Sequence, residues 1–298
     1  MLYAGLCRRL AEEPLARELA PDDRWDLPVR LLGALHYLVL EGRLAGWEWP
    51  DVQDALARER DWLARFVAEQ GVQTNEVQRC WALLPAFLSL GERPLELIEL
   101  GASAGLNLLW DRYRYRYGAG EWGPPGLELR GEERRGVHAA LLARHADVRR
   151  RRGIDLEPID VRDPTSVRIL ECFVWPDQPE RMERLRRAVE LARQDPPEVI
   201  RGDYVDVLPS LLDNRSRDAL TVVFQTVSTV YLSEERYAEL RRIVDNADVA
   251  WISTRRFTEE TTAVEGGFEL ELRPPGERAS RLVAALGYHG QWLDWTGP

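Results

Sequence analysis

The chain contains no lysine, and it has few of the residues that build disulfide frameworks or metal sites. Arginine supplies all 40 basic side chains, which the base composition of a genome is sufficient to explain. The 298 residues include only three cysteines and four histidines. Because the cysteines are scattered and the histidines show no zinc-like spacing, the sequence predicts neither a disulfide framework nor a metal site.

Long apolar runs are also missing. No run approaches the roughly 20 residues that a membrane-spanning helix needs. The N-terminal segment MLYAGLCRRLAEEP lacks the apolar stretch of a secretory signal peptide. We therefore expect a cytoplasmic protein that has no membrane partner.

An excess of positive charge is the third feature that the sequence lacks. The formal net charge is −10 and the pI is near 5.1, which argues against a nucleic-acid partner because phosphate neutralisation needs clustered positive charge. We expect a small-molecule substrate instead. The run from Arg149 to Arg152 has two interpretations, an anion site or, more commonly, a solvated surface. The sequence does not indicate an oligomeric state.

The length predicts two parts, because 298 residues exceed the roughly 100 to 200 of a typical domain. Apolar residues recur three and four positions apart up to about residue 90, which predicts four helices in an N-terminal helical subdomain, residues 1–90. The remainder, residues 91–298, is predicted to be an α/β domain with an insertion around residues 118–180.

Short apolar runs alternate with helical patterns in this second part, which predicts a mostly parallel sheet. The predicted strands are LELIEL (95–100), EVIRGD (198–203), LTVVFQTV (220–227) and DVAWIS (248–253). Near the end, FELELR (268–273) and RLVAALG (281–287) flank a turn. We interpret them as a terminal antiparallel hairpin.

The segment IELGASAGLNLL carries the most specific pattern in the sequence. Glu99 closes a strand two positions before Gly101, and Gly105 opens the following helix. Small residues there let the backbone approach a nucleotide-like cofactor, whose anionic part the free N–H groups of a helix start can receive. The alternative is a tight strand-to-helix connection that binds nothing.

This E-x-G-x-S-x-G pattern resembles the first motif of the class I S-adenosylmethionine (SAM)-dependent methyltransferases, with Ser103 where many members have glycine. The resemblance implies a Rossmann-like, seven-stranded sheet with SAM as cofactor, its methionine end lined by Glu99, Gly101 and Gly105. Ser103 and Asn107, within and just after the motif, are further cofactor-binding candidates.

A second resemblance runs from about residue 74 to the end. The chain is similar there to a bacterial family catalogued as domain of unknown function 2332, through the segments TNEVQR, LIELGASAGLNLLWDRYRYRYG, RGIDLEPIDV, VWPDQPERMERL, IRGDYVDVLP and HGQWLDW. It implies a methyltransferase-like fold and brings no established reaction.

Methyltransferases carry a carboxylate after the second strand for the ribose hydroxyls and another after the third strand near the adenine. By resemblance, Asp155 and Asp203 are the candidates, with Tyr204 beside the latter. Asp155 lies much further along the chain than the roughly 20 residues of a simple strand-helix-strand unit, so an insertion must absorb the excess. The alternative for both residues is a turn or cap aspartate.

Three residues are candidates for catalysis. Gln225, near the end of a predicted strand, either orients a nucleophile or satisfies backbone groups. Arg79 belongs to a predicted helix, for which Asn75 and Gln78 are expected to form an N-cap box. His289 is either a base with a pKa near neutrality or a structural side chain.

The sequence therefore predicts a SAM-dependent methyltransferase, with two competing functions. A non-catalytic SAM- or nucleotide-binding protein needs the same fold. A serine hydrolase is suggested because residues 101–105 also read G-x-S-x-G, with Asp203 and His289 following in the expected order. Against the hydrolase, residues 1–94 are helical in pattern, whereas several strands should precede its nucleophile.

Overall fold

The structure is a computed structural model that describes residues 2–21, 24, 26–256 and 266–298. The chain forms two compact units. One unit comprises Met1–Thr74 and Ile159–Arg186, and the other comprises Asn75–Pro158 and Arg187–Pro298. The division thus falls at Thr74, and the first unit also includes part of the expected insertion.

The α-helices lie in chain order as α1 (Leu2–Glu12), α2 (Pro14–Leu19), α3 (Leu27–Leu40), α4 (Trp49–Arg58), α5 (Arg60–Glu69), α6 (Arg79–Ser89), α7 (Ala139–Leu142), α8 (Pro164–Cys172), α9 (Pro179–Gln194), α10 (Tyr204–Asp213) and α11 (Glu234–Asn246). Short 3₁₀ helices span Leu106–Arg112 and Ser228–Tyr231. No helix in the described ranges is long and apolar enough to cross a membrane.

The first unit is helical, and α3 lies in its core. Ala34, Leu35 and Leu38 have no exposed surface. Gly33 gives space to the ring of Phe173, because a β-carbon at this position would lie 2.6 Å from Phe173 Cε1. The periodicity predicted four helices before residue 90. The described residues of this region form six, since breaks near Pro14 and Glu59 divide the pattern.

The strands are β1 (Leu95–Leu100), β2 (Arg114–Tyr117), β3 (Gly120–Trp122), β4 (Glu128–Arg130), β5 (Glu132–Arg135), β6 (Val148–Asp155), β7 (Glu198–Arg201), β8 (Leu220–Gln225), β9 (Ala250–Thr254), β10 (Gly267–Arg273), β11 (Arg281–Gly287) and β12 (Trp292–Trp295). They form a nine-stranded sheet in the order β5-β12-β11-β10-β9-β8-β1-β6-β7 and a small sheet in the order β3-β2-β4.

The large sheet is mixed and mostly parallel. Its strands β7, β6, β1, β8 and β9 pair in parallel, whereas β9 to β12 pair antiparallel. The α/β class and the hairpin of β10 and β11 are therefore confirmed. The expected count of seven strands is wrong, because β12 and β5 extend the antiparallel side.

Helices cover both faces of the parallel half of the sheet. On one face, Ile98, Val223 and Trp251 pack with Leu208 of α10 and Leu240 of α11 in one apolar core. On the other, Phe87 of α6 stacks on Trp110 at 4.4 Å between ring centroids, and Phe87 meets the edge of Phe224 at 5.2 Å. Because helices cover this strand on both faces, all six residues of β1 are buried, and these include Glu96 and Glu99.

Strand β6 lies beside β1 and contains the arginine run. Arg152 is 2% exposed, and its Nη2 donates a hydrogen bond of 2.6 Å to Oε1 of Glu96, which is completely buried. Arg151 donates to the carbonyl of Leu108 at 3.1 Å. The solvated-surface interpretation is therefore wrong for Arg152, which is buried, whereas Arg151 is partly exposed and Arg149 and Arg150 are exposed. Strand β6 was not predicted from the sequence, because its four arginines interrupt the apolar pattern of a strand. It lies within the expected insertion.

Candidate functional site

The parallel half of the sheet reverses its strand order between β1 and β8. From β1 the chain proceeds outward through β6 to β7, and then outward on the other side through β8 to β9. Open α/β sheets bind ligands in the crevice outside the carboxyl ends of the two strands at this reversal. Glu99 of β1 and Gln225 of β8 lie at these ends.

Glu99 is the most unusual group at this edge. Its side chain is 2% exposed, and Oε1 accepts a hydrogen bond of 3.0 Å from Nδ2 of Asn107. The other oxygen, Oε2, is buried and has no hydrogen-bond partner among the described residues. Burial, together with nearby Asp155, raises the pKa of Glu99 to about 8, although the Asn107 hydrogen bond and the charge of Arg79 oppose the rise.

Asn107 is held in place from its other side. The Cys80 thiol donates to Asn107 Oδ1 at 3.3 Å, and both side chains are buried. Burial raises the pKa of this thiol well above its ordinary value, so Cys80 stays protonated and remains a donor. The contact leaves the Asn107 amide NH₂ for Glu99. The sequence offered no signal for Cys80, since a cysteine on an apolar helix face is ordinary core.

The segment before α6 differs from the prediction. The helix begins at Arg79, and Gln78 provides no side-chain cap. Asn75 instead accepts a hydrogen bond of 2.9 Å from the N–H of Leu106, the first residue of the 3₁₀ helix after the glycine turn. The expected N-cap box is therefore wrong. Asn75 thus pairs with the Leu106 N–H, one of the helix-start groups that were expected to be free to receive the anionic part of a cofactor.

The glycine turn is built on positive φ angles. Gly101 has φ 70°, Ser103 has φ 53° and Gly105 has φ 71°. A β-carbon on Gly101 would lie 2.4 Å from Ser228 Cβ, and one on Gly105 would lie 2.6 Å from Pro197 Cγ. Close packing within the protein thus requires both glycines, which supports the tight-connection interpretation without excluding a ligand.

Asp155 ends β6, beside β1, as the resemblance implied. Its Oδ2 accepts a hydrogen bond of 2.8 Å from the N–H of Ser103, and Oδ1 accepts one of 2.9 Å from the N–H of Glu157. The carboxylate therefore ties the glycine turn to the end of β6. Leu156, the next residue, is 66% exposed, which is unusual for a large apolar side chain.

Asp203 has the cap geometry of the alternative interpretation. It precedes α10 and accepts a hydrogen bond of 2.8 Å from the N–H of Val205. Its other oxygen lies 2.9 Å from Nη2 of Arg236. Tyr204 donates its hydroxyl hydrogen bond to the carbonyl of Ser228 at 3.2 Å, and burial raises its pKa. These contacts join the ends of β7 and β8.

The Gln225 amide is engaged within the fold. Gln225 is completely buried, and its Nε2 donates to Ser253 Oγ at 2.6 Å and to the carbonyl of Thr254 at 2.8 Å. These bonds connect the ends of β8 and β9, which supports the interpretation that Gln225 satisfies groups at a strand end.

Arg79 and His289 meet at the same edge of the sheet. Arg79 is 8% exposed and donates its Nε hydrogen bond to the carbonyl of Tyr288 at 2.9 Å. His289 has a half-exposed ring whose Nδ1 lies 4.0 Å from Oε2 of Glu76, a buried carboxylate. This arrangement places a histidine, a guanidinium and a carboxylate next to the end of β8.

Val227 is a site feature that the sequence could not reveal. Its φ is 73°, in the left-handed region that β-branched residues rarely adopt, and its N–H donates to Thr254 Oγ1 at 2.8 Å. Backbone strain of this kind is common at ligand sites. It is visible only in the φ angle of Val227 and not in the amino-acid sequence.

The three residues of the suggested hydrolase triad do not form a triad: two contact other residues, and the serine is buried. The Asp203 carboxylate contacts Arg236, the His289 ring lies beside Glu76, and Ser103 is 3% exposed. In the part of the chain that the structure describes, no group of three or more His, Cys, Asp or Glu residues is arranged to hold a metal ion.

Comparison with protein families places the chain. A family model described as "Uncharacterized protein conserved in bacteria (DUF2332)" matches residues 1–295. The chain belongs to the DUF2332 family. The match extends beyond the resemblance from residue 74 and includes the N-terminal helices, so DUF2332 spans both compact units. A search of curated proteins found no match.

Proposed function

We propose that this DUF2332 protein is a SAM-dependent methyltransferase that acts on a small-molecule acceptor. The observation that carries the proposal is the unpartnered Oε2 of buried Glu99, next to the glycine turn and at the strand-order reversal. A buried carboxylate oxygen without a partner costs free energy. A ligand that donates a hydrogen bond there offsets this cost.

The strand order supports a nucleotide-type cofactor. Numbered by their order along the chain, the five parallel strands run 3-2-1-4-5 across the sheet, as in the doubly wound dinucleotide-binding folds. We propose that this half is the methyltransferase-type core, and that the strands β10, β11, β12 and β5 are a DUF2332 departure from the seven-stranded pattern.

The cofactor's nucleoside is proposed to lie over the ends of β6 and β7. Asp155 already accepts two N–H bonds, but an ionised carboxylate offers about four lone-pair sites and so retains capacity for ribose hydroxyls. The exposed Leu156 offers an apolar surface for the adenine ring. Asp203 and Tyr204 at the end of β7 are the candidates beside the adenine.

The methionine end is proposed to lie at Glu99, with its ammonium group donating to Oε2. The raised pKa makes this contact dependent on pH. A cation that needs the ionised carboxylate binds more tightly as pH rises, by up to about tenfold per unit below pH 8, and releases a proton on binding. The orientation of Glu99 is maintained by Asn107, and that of Asn107 by Cys80.

The protein's task in methyl transfer is mainly to position the acceptor. SAM, when bound, supplies an activated methyl group together with its own leaving group. Arg79 is proposed to orient the acceptor near the end of β8. His289, oriented by Glu76, is proposed to take up the proton that a hydroxyl or amine acceptor loses.

A protein that binds SAM or another nucleotide without turnover is the second candidate. It is favoured by the internal engagement of Gln225, whose amide donates to Ser253 and Thr254. The two functions share the cofactor site. They differ in whether S-adenosylhomocysteine accumulates when SAM is incubated with the protein and candidate acceptors.

Calorimetric titration with SAM and S-adenosylhomocysteine tests the cofactor site. We expect both to bind, and ligand at 100 times its dissociation constant to raise the free energy of unfolding by about 2.7 kcal/mol. The Glu99→Gln variant should weaken SAM binding at pH 8.5 and abolish its pH dependence, while Glu190→Gln, an exposed change on α9, leaves both unchanged. The cofactor-site assignment is refuted if neither compound binds at millimolar concentration.

A further inference from the structure

A cavity of about 370 Å³ lies at the amino-terminal edge of the large sheet, at the opposite end of β1 and β8 from Glu99. Its walls come from the segment before β1, the end of α10 with the loop that follows it, the start of β8, Asp248 before β9, and the turn between β10 and β11. The polar residues that matter here are Arg93, Asp213, Arg215, Arg217, Thr221 and Asp248.

The three arginines are the first reason to expect a ligand. None of them forms an ion pair with any described residue, and all three are exposed. The one side-chain hydrogen bond among them runs from Arg215 Nη1 to the carbonyl of Leu212 at 2.7 Å. Guanidinium groups match the planar oxygens of phosphate and carboxylate, so three of them at one cavity favour an anion.

The two carboxylates at the cavity partly offset this charge. Asp248 is committed elsewhere, since its Oδ1 accepts a hydrogen bond of 2.6 Å from the N–H of Gly276. Asp213 is exposed at the end of α10. Three cationic and two anionic side chains leave a local positive excess in a chain whose net charge is −10.

Thr221 is the second, independent reason. It lines the cavity from the start of β8 and is 3% exposed, and its hydroxyl oxygen Oγ1 is buried without a hydrogen-bond partner. A buried hydroxyl without a partner destabilises the folded state. An anionic ligand that reaches this hydroxyl through the cavity would accept its hydrogen bond and remove this cost.

The loop that carries Arg215 and Arg217 is already ordered by the protein. The N–H of Ser216 donates to Oε2 of the buried Glu96 at 2.7 Å, and the N–H of Asp218 donates to Ser216 Oγ at 3.2 Å. Because a loop held in one conformation loses less entropy on binding, the two arginines are partly preorganised.

We propose that this cavity is a second binding site, which takes a compact multivalent anion such as a phosphorylated or polycarboxylate metabolite. Its volume is within the range of small-molecule sites, roughly 300 to 1,000 Å³. The site does not depend on the methyltransferase proposal, because it lies at the other edge of the sheet and uses none of the same residues.

The test is calorimetric titration of the full chain with pyrophosphate and with citrate at low ionic strength. We expect at least one to bind, and the stronger of the two identifies phosphate or carboxylate as the preferred group. Arg93→Gln and Arg217→Gln should each weaken binding about tenfold, which corresponds to about 1.4 kcal/mol. Thr221→Val, which keeps the side-chain shape, should weaken binding several-fold.

Arg242→Gln is the matched control, since it removes the same charge from an exposed position on α11. It should leave anion binding unchanged. The proposal is overturned if neither anion binds at millimolar concentration, if Arg217→Gln binds as tightly as the wild type, or if Arg242→Gln weakens binding as much as Arg217→Gln. Thermal unfolding without ligand verifies that each variant is folded.

Discussion

Glu99→Gln is expected to make the protein more stable than the wild type in mildly alkaline solution. The Glu99 carboxyl has a pKa of about 8 in the folded protein, against an ordinary value of 4.5. Between these two values the folded state holds a proton that the unfolded chain has lost. The free energy of unfolding therefore falls as pH rises from about 4.5 to 8, and it stays low above pH 8.

The size of the effect follows from the displacement of the pKa. Each unit of pKa shift corresponds to about 1.36 kcal/mol. The titration of Glu99 alone therefore lowers the free energy of unfolding by about 3 to 4 kcal/mol as pH rises from 5 to 8. Glutamine resembles the protonated carboxyl in shape and has no proton to lose. We expect Glu99→Gln to match the wild type near pH 5 and to exceed it by up to this amount at pH 8.5.

Urea unfolding at several pH values, followed by tryptophan fluorescence, measures this difference directly. Only the difference between wild type and variant is interpreted, because other groups titrate in both proteins. The exposed Glu190→Gln variant should track the wild type at every pH. If Glu99→Gln differs from the wild type by the same amount at pH 5 and pH 8.5, the carboxyl is ionised across the range and the reasoning is wrong.

Three further predictions follow from buried contacts. Glu96→Ala should lower the free energy of unfolding by about 3 to 5 kcal/mol in urea titrations, because Arg152 is left buried without its charge partner. Replacing both residues with methionine should recover only part of the loss, since the Ser216 N–H still lacks its acceptor. Gly101→Ala should lower the free energy of unfolding by more than about 2 kcal/mol, because the added β-carbon overlaps Ser228 and φ is positive. Gly276→Ala is the control: its φ is also positive but the space around it is open, so urea unfolding should show a smaller loss. The Cys80 thiol should resist maleimide in the folded protein and react once urea unfolds it, as mass spectrometry can measure.

Apolar patterning predicted most of the parallel sheet but missed β6. The runs at 95–100, 198–203 and 220–227 each contain a strand of the sheet. Coverage on both faces favours the apolar residues of β1 and β8, whereas β7 lies at the edge of the sheet and is recognised by its short Val199–Ile200 core. Strand β6 reads VRRRRGID, which lacks this pattern. Its Arg152, Gly153 and Ile154 are buried nonetheless, and the charge of Arg152 is neutralised by Glu96 of the neighbouring strand. These two residues are 56 positions apart, so local periodicity does not reveal their pairing.

The sequence by itself determined the α/β class, the helical N-terminal region and the glycine turn after β1, because these depend on local periodicity and on the conformational freedom of glycine. It also singled out Glu99. Only the tertiary structure decided what Glu99 contacts: Asn107 occupies one oxygen and leaves the other buried and unpaired. The same holds for Gln225, whose amide donates to Ser253 and Thr254, and for the ion pair of Asp203 with Arg236, because these partners are distant in the chain. A residue's chemistry is set by the groups that folding places around it, and those neighbours are not encoded in local spacing.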